Sequence, residues 1–219
     1  MKKFFLIVTL LYLDAHADAY IKTSKNISVT EKKQRFYALV VPIIDKIYKE
    51  RYNEYKKIST DLNRNKNNEK IEELKQYYKV KTNEELLMAL KPQPKSITIA
   101  QAAMESAWGT SRFFLLGNNL FGMWSVSKKE QRIAAKEKRD NNTTVWVKKY
   151  SSLEDSVRGY YLTLGRGKRY QNLRELNYSS SNVFEIIKGL DGYSERGESY
   201  VDEIKSIIKY NKLMKYDKK

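Results

Sequence analysis

Between Glu31 and Asp61 the apolar residues Phe36, Leu39, Val40, Ile43, Ile44, Ile47 and Tyr48 recur every three or four positions, and Tyr52, Tyr55 and Ile58 continue the stripe among Lys and Glu. Side chains at that spacing share one face of an α-helix, so the pattern predicts a single long amphipathic helix with Pro42 as the point for a bend. The polar run Asn63-Arg64-Asn65-Lys66-Asn67-Asn68 breaks it. A second helical pattern follows on Ile71, Leu74, Tyr77 and Tyr78, and Thr82 or Asn83 caps a third from Glu84 to about Leu90. Pro92 and Pro94 close this all-helical part. Ser96 is the expected N-cap of the next helix, which carries Ile97, Ala100, Ala103, Met104 and Trp108 to a stop at Gly109. Its small residues suit a helix packed on several sides.

Past Gly117-Asn118-Asn119 the period changes. Phe121, Met123 and Trp124, then charged residues, then Thr143-Thr144-Val145-Trp146-Val147 alternate as short strands do, around a turn at Asp140-Asn141-Asn142. A small hairpin or β-lobe is expected there. Helical patterns resume over Leu153 to Leu164, Asn182 to Leu190 and Gly197 to Lys212. The fold class is thus mostly α with a small β-hairpin lobe.

The amino terminus changes the account of where the chain acts. Met1-Lys2-Lys3, the apolar run Phe4 to Leu13 and the small residues of Ala15-His16-Ala17 and Ala17-Asp18-Ala19 have the three parts of a secretory signal, with cleavage expected after Ala17 or Ala19. The apolar run falls short of the roughly 20 residues that span a bilayer. The expected organisation is a signal peptide over 1–19, an N-terminal helical segment over 20–91 and a main domain over 92–219, in a chain exported to the periplasm or the cell wall.

Composition narrows the chemistry. The 219-residue chain has no cysteine, and its one histidine is His16, inside the expected signal. A Cys-His nucleophile, a Ser-His-Asp triad and a zinc site built on imidazole or thiolate are therefore excluded for the mature chain. Hydrolysis would run on carboxylates, the usual equipment of glycoside hydrolases, and no cofactor or metal is expected. The net charge is +16 and survives cleavage, because Lys2 and Lys3 leave together with Asp14 and Asp18. Such a surplus favours anionic surroundings. For an exported chain these are the wall or a membrane surface rather than nucleic acid.

Glu105 is the leading candidate for chemistry, since it lies among small apolar helical neighbours with Trp108 close by. A carboxyl group that loses hydration favours its neutral acid, which a proton donor at neutral pH requires. Ile99-Ala-Gln-Ala-Ala-Met-Glu105-Ser-Ala-Trp108-Gly109-Thr-Ser-Arg112, followed by Gly117-Asn-Asn119-Leu-Phe121-Gly122, resembles the signature of bacterial glucosaminidase domains of the glycoside hydrolase family 73 type. Tyr193-Ser-Glu195-Arg-Gly197-Glu-Ser-Tyr200-Val-Asp-Glu-Ile204 and Phe36-Tyr-Ala-Leu-Val-Val-Pro42 resemble the Bax-type members most, so the likeness runs from about Glu31 to Ile208.

The resemblance implies a lysozyme-like α+β domain with an N-terminal helical extension, acting on peptidoglycan glycan strands at the β-1,4 bond between N-acetylglucosamine and N-acetylmuramic acid. Glu105 matches the family's catalytic acid. Tyr193 and Tyr200 match aromatic positions of its cleft, where a phenol can hydrogen-bond the acid or the sugar's acetamido group; packing at a helix start is the alternative for both. Glu137, in a lobe-like stretch before Thr144-Val-Trp146, is the leading match for the second carboxylate. Asp140 and Glu130 stay as candidates, and the substrate's own acetamide is the chemical alternative. Gln101, Asn119, Phe121 and Trp124 are the expected substrate-binding positions, although Phe121 also suits a core. A lytic transglycosylase and a non-catalytic wall-binding or assembly factor of the same fold are the competing functions.

Overall fold

The computed structural model describes residues 27–66, 68–138 and 144–218, with 136–138 as backbone only. The expected signal cleavage sites and Asp140 lie outside the described residues, as does the side chain of Glu137.

The first stripe becomes helix α1, Val29–Asn63, which Ser28 opens by accepting from the Glu31 amide at 3.1 Å. Pro42 sits inside it and the helix continues on both sides, although the missing N–H leaves the Ala38 carbonyl without its helical donor. Helix α2 spans Asn68–Tyr78 and α3 spans Asn83–Leu90. Thr82 is the α3 cap: it accepts from the Glu85 amide while the Glu85 carboxylate bonds back to the Thr82 amide, satisfying two end donors at once.

Helix α4, Lys95–Glu105, differs from expectation at both ends. Its N-cap is Pro94, which offers no side-chain acceptor, and Ser96 lies within the first turn. The acceptor comes from the far end of the chain, where Asp217 Oδ1 takes the Ser96 amide at 2.8 Å. A carboxylate there satisfies an end donor and meets the positive end of the helix dipole. Asp217→Ala should therefore lower stability by about 1 kcal/mol, read as a lower urea midpoint with an unchanged slope.

Helix α5 (Arg112–Gly117) leads to strands β1 (Arg132–Lys138) and β2 (Thr144–Lys148). The strands pair antiparallel, Arg132 opposite Lys148 and Ala134 opposite Trp146, with an irregular register between Ala134 and Lys138. The expected strand at Phe121 to Trp124 is only an isolated bridge from Trp124 to Val147; the first strand is the charged stretch downstream of it. Helix α6 (Leu153–Arg166), a 3-10 turn at Lys168–Tyr170, α7 (Gln171–Ser179), α8 (Val183–Ile186) running into a second 3-10 turn to Leu190, and α9 (Glu198–Tyr210) complete the chain with a last turn at Leu213–Tyr216.

The main core joins Phe36, Val40, Ile44 and Ile47 of α1 to Ile97, Ile99, Ala100 and Ala103 of α4, Val157, Tyr160 and Leu164 of α6, and Ile204 and Ile208 of α9. Small side chains let α4 run through the middle of this set. A second cluster, Ile58, Ile71, Leu74, Tyr78, Leu86 and Leu90, seals the far end of α1 against α2 and α3. One hydrophobic stripe on α1 thus serves both cores. No helix among the described residues is long and apolar enough to cross a membrane.

Candidate active site

Helix α4 ends at Glu105, earlier than its pattern suggested, because the backbone turns over immediately. Ala107, Trp108 and Gly109 all have positive φ, of 50°, 59° and 77°. For a bulky residue such as Trp108 that conformation costs roughly 1–2 kcal/mol, so surrounding contacts have to hold it. They are visible: the Trp108 amide donates to the Ala103 carbonyl at 2.7 Å, and its ring meets Phe36 and Tyr37 edge-on at 5.5 and 5.6 Å, with Lys33 Nζ 4.6 Å from the ring centre. Ser106 ties the turn down by donating to Ala102 and accepting from the Gly109 amide. Helix α1 therefore braces the corner that carries Glu105.

The carboxyl of Glu105 is half-buried, and burial pushes its pKa above the ordinary 4.5. The Tyr200 hydroxyl, hydrogen-bonded to it, and the charge of Arg196 pull the other way, while Glu203 pushes with burial. Tyr170 and Tyr193 also lie within electrostatic reach. Arg196 is itself held to Glu203 at 2.7 Å, which reduces how much of its charge acts on Glu105.

A backbone loop presses on this group from above. A Cβ built on Gly122 would lie 3.3 Å from Glu105 Oε2, a tight approach that would push the carboxyl end aside, and Gly122 has φ +64°, a left-handed conformation that favours glycine. Asn119 shapes the loop: its amide nitrogen donates to the Met123 and Lys148 carbonyls at 3.0 and 2.8 Å, and its oxygen accepts from the Met123 amide at 2.9 Å. Tyr193 holds the other side, donating to the Phe121 carbonyl at 3.0 Å while its ring stacks on Tyr200 at 5.4 Å. Gly122→Ala should cut activity about tenfold or more with a much smaller loss of stability, because the added methyl strains the backbone and crowds the carboxyl; a urea melt beside an activity assay separates the two effects.

Three of the four expected sugar contacts are interior. Gln101 and Asn119 are fully buried, with their amides committed to protein partners, and Phe121 is buried face to face on Tyr160 at 3.9 Å. Their side chains face protein partners behind the site. Trp124 is 53% exposed and is the accessible one of the four. Tyr200 is buried and Tyr193 half-buried; burial raises both phenols above their usual range, so both stay protonated donors.

Among the lobe carboxylates, Glu130 is already engaged. Its oxygens accept from Ser125 Oγ at 2.8 Å and the Ser127 amide at 3.3 Å and pair with Lys148 at 3.1 Å; burial opposes its charge, but these partners outweigh it and its pKa falls. That makes Glu130 a brace of the lobe base. Glu137 belongs to β1, opposite the strand that bears Trp146. The two arginines of α6 are engaged: Arg158 pairs with Glu50 at 2.5 Å, and Arg166 lies over the Tyr77 ring at 5.0 Å. A shallow groove of about 500 Å³ runs beside the corner between α4 and α9, past Met104, Trp108 and Glu203.

Sequence reading missed Gly122, Tyr160, Gln93, Arg196 and Glu203 as parts of this site. Gly122 stood in the quoted motif, and Arg196 and Glu203 in the second one. Tyr160 and Gln93 carry no local signal: Gln93 Nε2 donates to the Tyr160 hydroxyl oxygen at 2.6 Å only because α6 and the Pro92–Pro94 connection meet beside α4. Among the described residues no group of three or more His, Cys, Asp or Glu side chains is placed to hold a metal ion.

Residues 82–213 match the family described as glucosaminidase, mannosyl-glycoprotein endo-beta-N-acetylglucosaminidase. Protein bax of Escherichia coli (strain K12) is 32% identical over 113 residues, a match covering 49% of this chain and 39% of that protein's length. Among solved structures, the catalytic domain of the autolysin Auto from Listeria monocytogenes aligns over 94% of this chain and 97% of its own with a TM-score of 0.53 at 18% identity. The glycoside hydrolase domain of FlgJ from Salmonella typhimurium, C-terminally truncated, aligns over 64% of this chain and 98% of its own at TM-score 0.43 and 21% identity.

Proposed function

The chain belongs to the glucosaminidase family, and from that premise we propose that it is an endo-β-N-acetylglucosaminidase that hydrolyses peptidoglycan at the β-1,4 bond between N-acetylglucosamine and N-acetylmuramic acid. The observation that carries the reading is a half-buried carboxyl, Glu105, whose pKa is raised by burial at a braced helix end under a glycine loop. In this reading Glu105 protonates the leaving glycosidic oxygen. Tyr200 donates to its carboxyl and aims it, and Tyr193 fixes the loop above through the Phe121 carbonyl.

The second role, stabilising the cationic sugar or directing water, goes to Glu137 of the hairpin lobe or to the substrate acetamide, with Asp140 the neighbouring choice. Trp124 offers an exposed indole face on which a pyranose ring can pack, next to the β2 strand that carries the lobe. The positive charge suits an exported enzyme working among wall carboxylates.

Mass spectrometry of purified sacculi digested with the protein tests the assignment. Reducing N-acetylglucosamine ends are the expected product. Anhydromuramic ends would replace the proposal with a lytic transglycosylase, and binding without any new ends would replace it with a non-catalytic wall factor.

A further inference from the structure

Behind Glu105 runs a line of buried polar groups that the hydrolytic reading does not by itself use. Gln93 Nε2 donates to the Tyr160 hydroxyl oxygen at 2.6 Å; Tyr160 donates to Gln101 Oε1; Gln101 Nε2 donates to the Tyr200 hydroxyl oxygen at 2.9 Å. Gln93, Tyr160, Gln101 and Tyr200 are all buried, so water does not compete along the line. An amide has one acceptor end and one donor end, and a hydroxyl has a single proton. Once Tyr160 gives its proton to Gln101 Oε1, the amino end of Gln101 must face Tyr200 and fill its oxygen. The Tyr200 proton is then free for the Glu105 carboxyl, which lies within reach of that hydroxyl.

We propose that Gln93, Tyr160 and Gln101 are positioning residues which fix the direction of this relay, so that Tyr200 always serves Glu105 as a donor and never as an acceptor. The consequence concerns which oxygen of Glu105 carries the proton. The carbonyl oxygen of a neutral carboxyl is its better acceptor, so the oxygen that faces Tyr200 is held as the acceptor and the acidic proton falls on the other one, from which a glycosidic oxygen would take it. Without the relay the Gln101 amide can turn over, offer its oxygen to Tyr200 and draw that hydroxyl away from Glu105. The idea deepens the reading of Glu105 as the acid, but the geometry of the relay does not depend on turnover.

Titration of the Glu105 carboxyl by carbon NMR on protein labelled with [5-13C]glutamate, with the resonance assigned by its loss in Glu105→Gln, reads the relay without any substrate. The titratable and charged groups facing Glu105 are Tyr200, Arg196, Glu203, Tyr170 and Tyr193, and none of them is changed by Tyr160→Phe, which also keeps the ring that stacks on Phe121. The midpoint should rise by roughly half a pH unit in Tyr160→Phe and about one unit in Tyr200→Phe, since a hydrogen bond to an ionised carboxylate is worth on the order of one pKa unit. The double variant should match Tyr200→Phe alone, because one effect acts through the other. Tyr55→Phe is the control: its ring packs against the second cluster, away from the relay, and the midpoint should stay.

An unmoved midpoint in Tyr160→Phe, or additive shifts in the double variant, would overturn the proposal. Should Tyr160→Phe not fold, Gln93→Met must still give a smaller shift in the same direction, and no shift there overturns it as well. A fully active Glu105→Gln protein would sink the hydrolytic reading while leaving the relay standing.

Discussion

At neutral pH the Glu105→Gln protein is expected to lose glycan-cleaving activity by about 10²- to 10⁴-fold, the usual contribution of a positioned general acid, while melting at a higher temperature than the wild type. Both effects come from the same burial. Glu105 has a folded pKa above its ordinary 4.5 because desolvation disfavours its charge. Below the unfolded value the group is protonated in both states and costs nothing. As pH rises through the folded value the buried group must ionise against its surroundings, and wild-type stability falls by that difference. Glutamine mimics the neutral acid and does not titrate, so the gap in melting temperature should open with rising pH and close near pH 4. Calorimetry at the two pH values, beside a sacculus digestion, measures it. An equal melting temperature at neutral pH would mean that the carboxyl is well hydrated after all.

Phe36→Ala is expected to destabilise the fold by about 3–5 kcal/mol, the range for removing a fully buried aromatic ring. Phe36 has no exposed surface, lies in the same core as α4, the helix that ends at Glu105, and meets Trp108 edge-on at 5.5 Å. The loss would be felt twice. It opens a cavity between α1 and α4, and it removes a contact that holds Trp108 in its left-handed backbone conformation, three residues past the Glu105 helix end. Urea denaturation gives the stability change, and activity at low temperature, where the variant is still folded, should fall as well. Val29→Ala on the same helix, at an exposed position, should do neither. The outcome bears on the organisation of the chain, since it makes the N-terminal helix part of the same core as α4.

The long helix was legible because a stripe at helical spacing has one interpretation once it exceeds a few turns, and Phe36, Val40, Ile44 and Ile47 all proved to be core. The partial burial of Glu105 was legible from its small apolar neighbours. The end of its helix was not, because Ala107 and Trp108 adopt positive φ with no local residue type to announce it. Helix α7 escaped notice for a related reason: one of its two buried positions is Asn177, a polar side chain satisfied by the Lys91 carbonyl 86 residues away. The cap on α4 needed Asp217, at a separation of 121 residues. Gln101, Asn119 and Phe121 were read as sugar contacts because they stand in the motif, yet a motif also keeps the residues that shape a loop from beneath, and burial separates the two roles.

The pH dependence of kcat/KM on purified peptidoglycan tests most directly whether Glu105 is a proton donor held neutral by its surroundings. Activity should fall on the alkaline side with a midpoint clearly above 4.5, the ordinary value for this side chain, and the residual activity of Glu105→Gln should lack that limb. A limb centred at or below the ordinary value, or one that persists unchanged in the glutamine variant, would contradict the account.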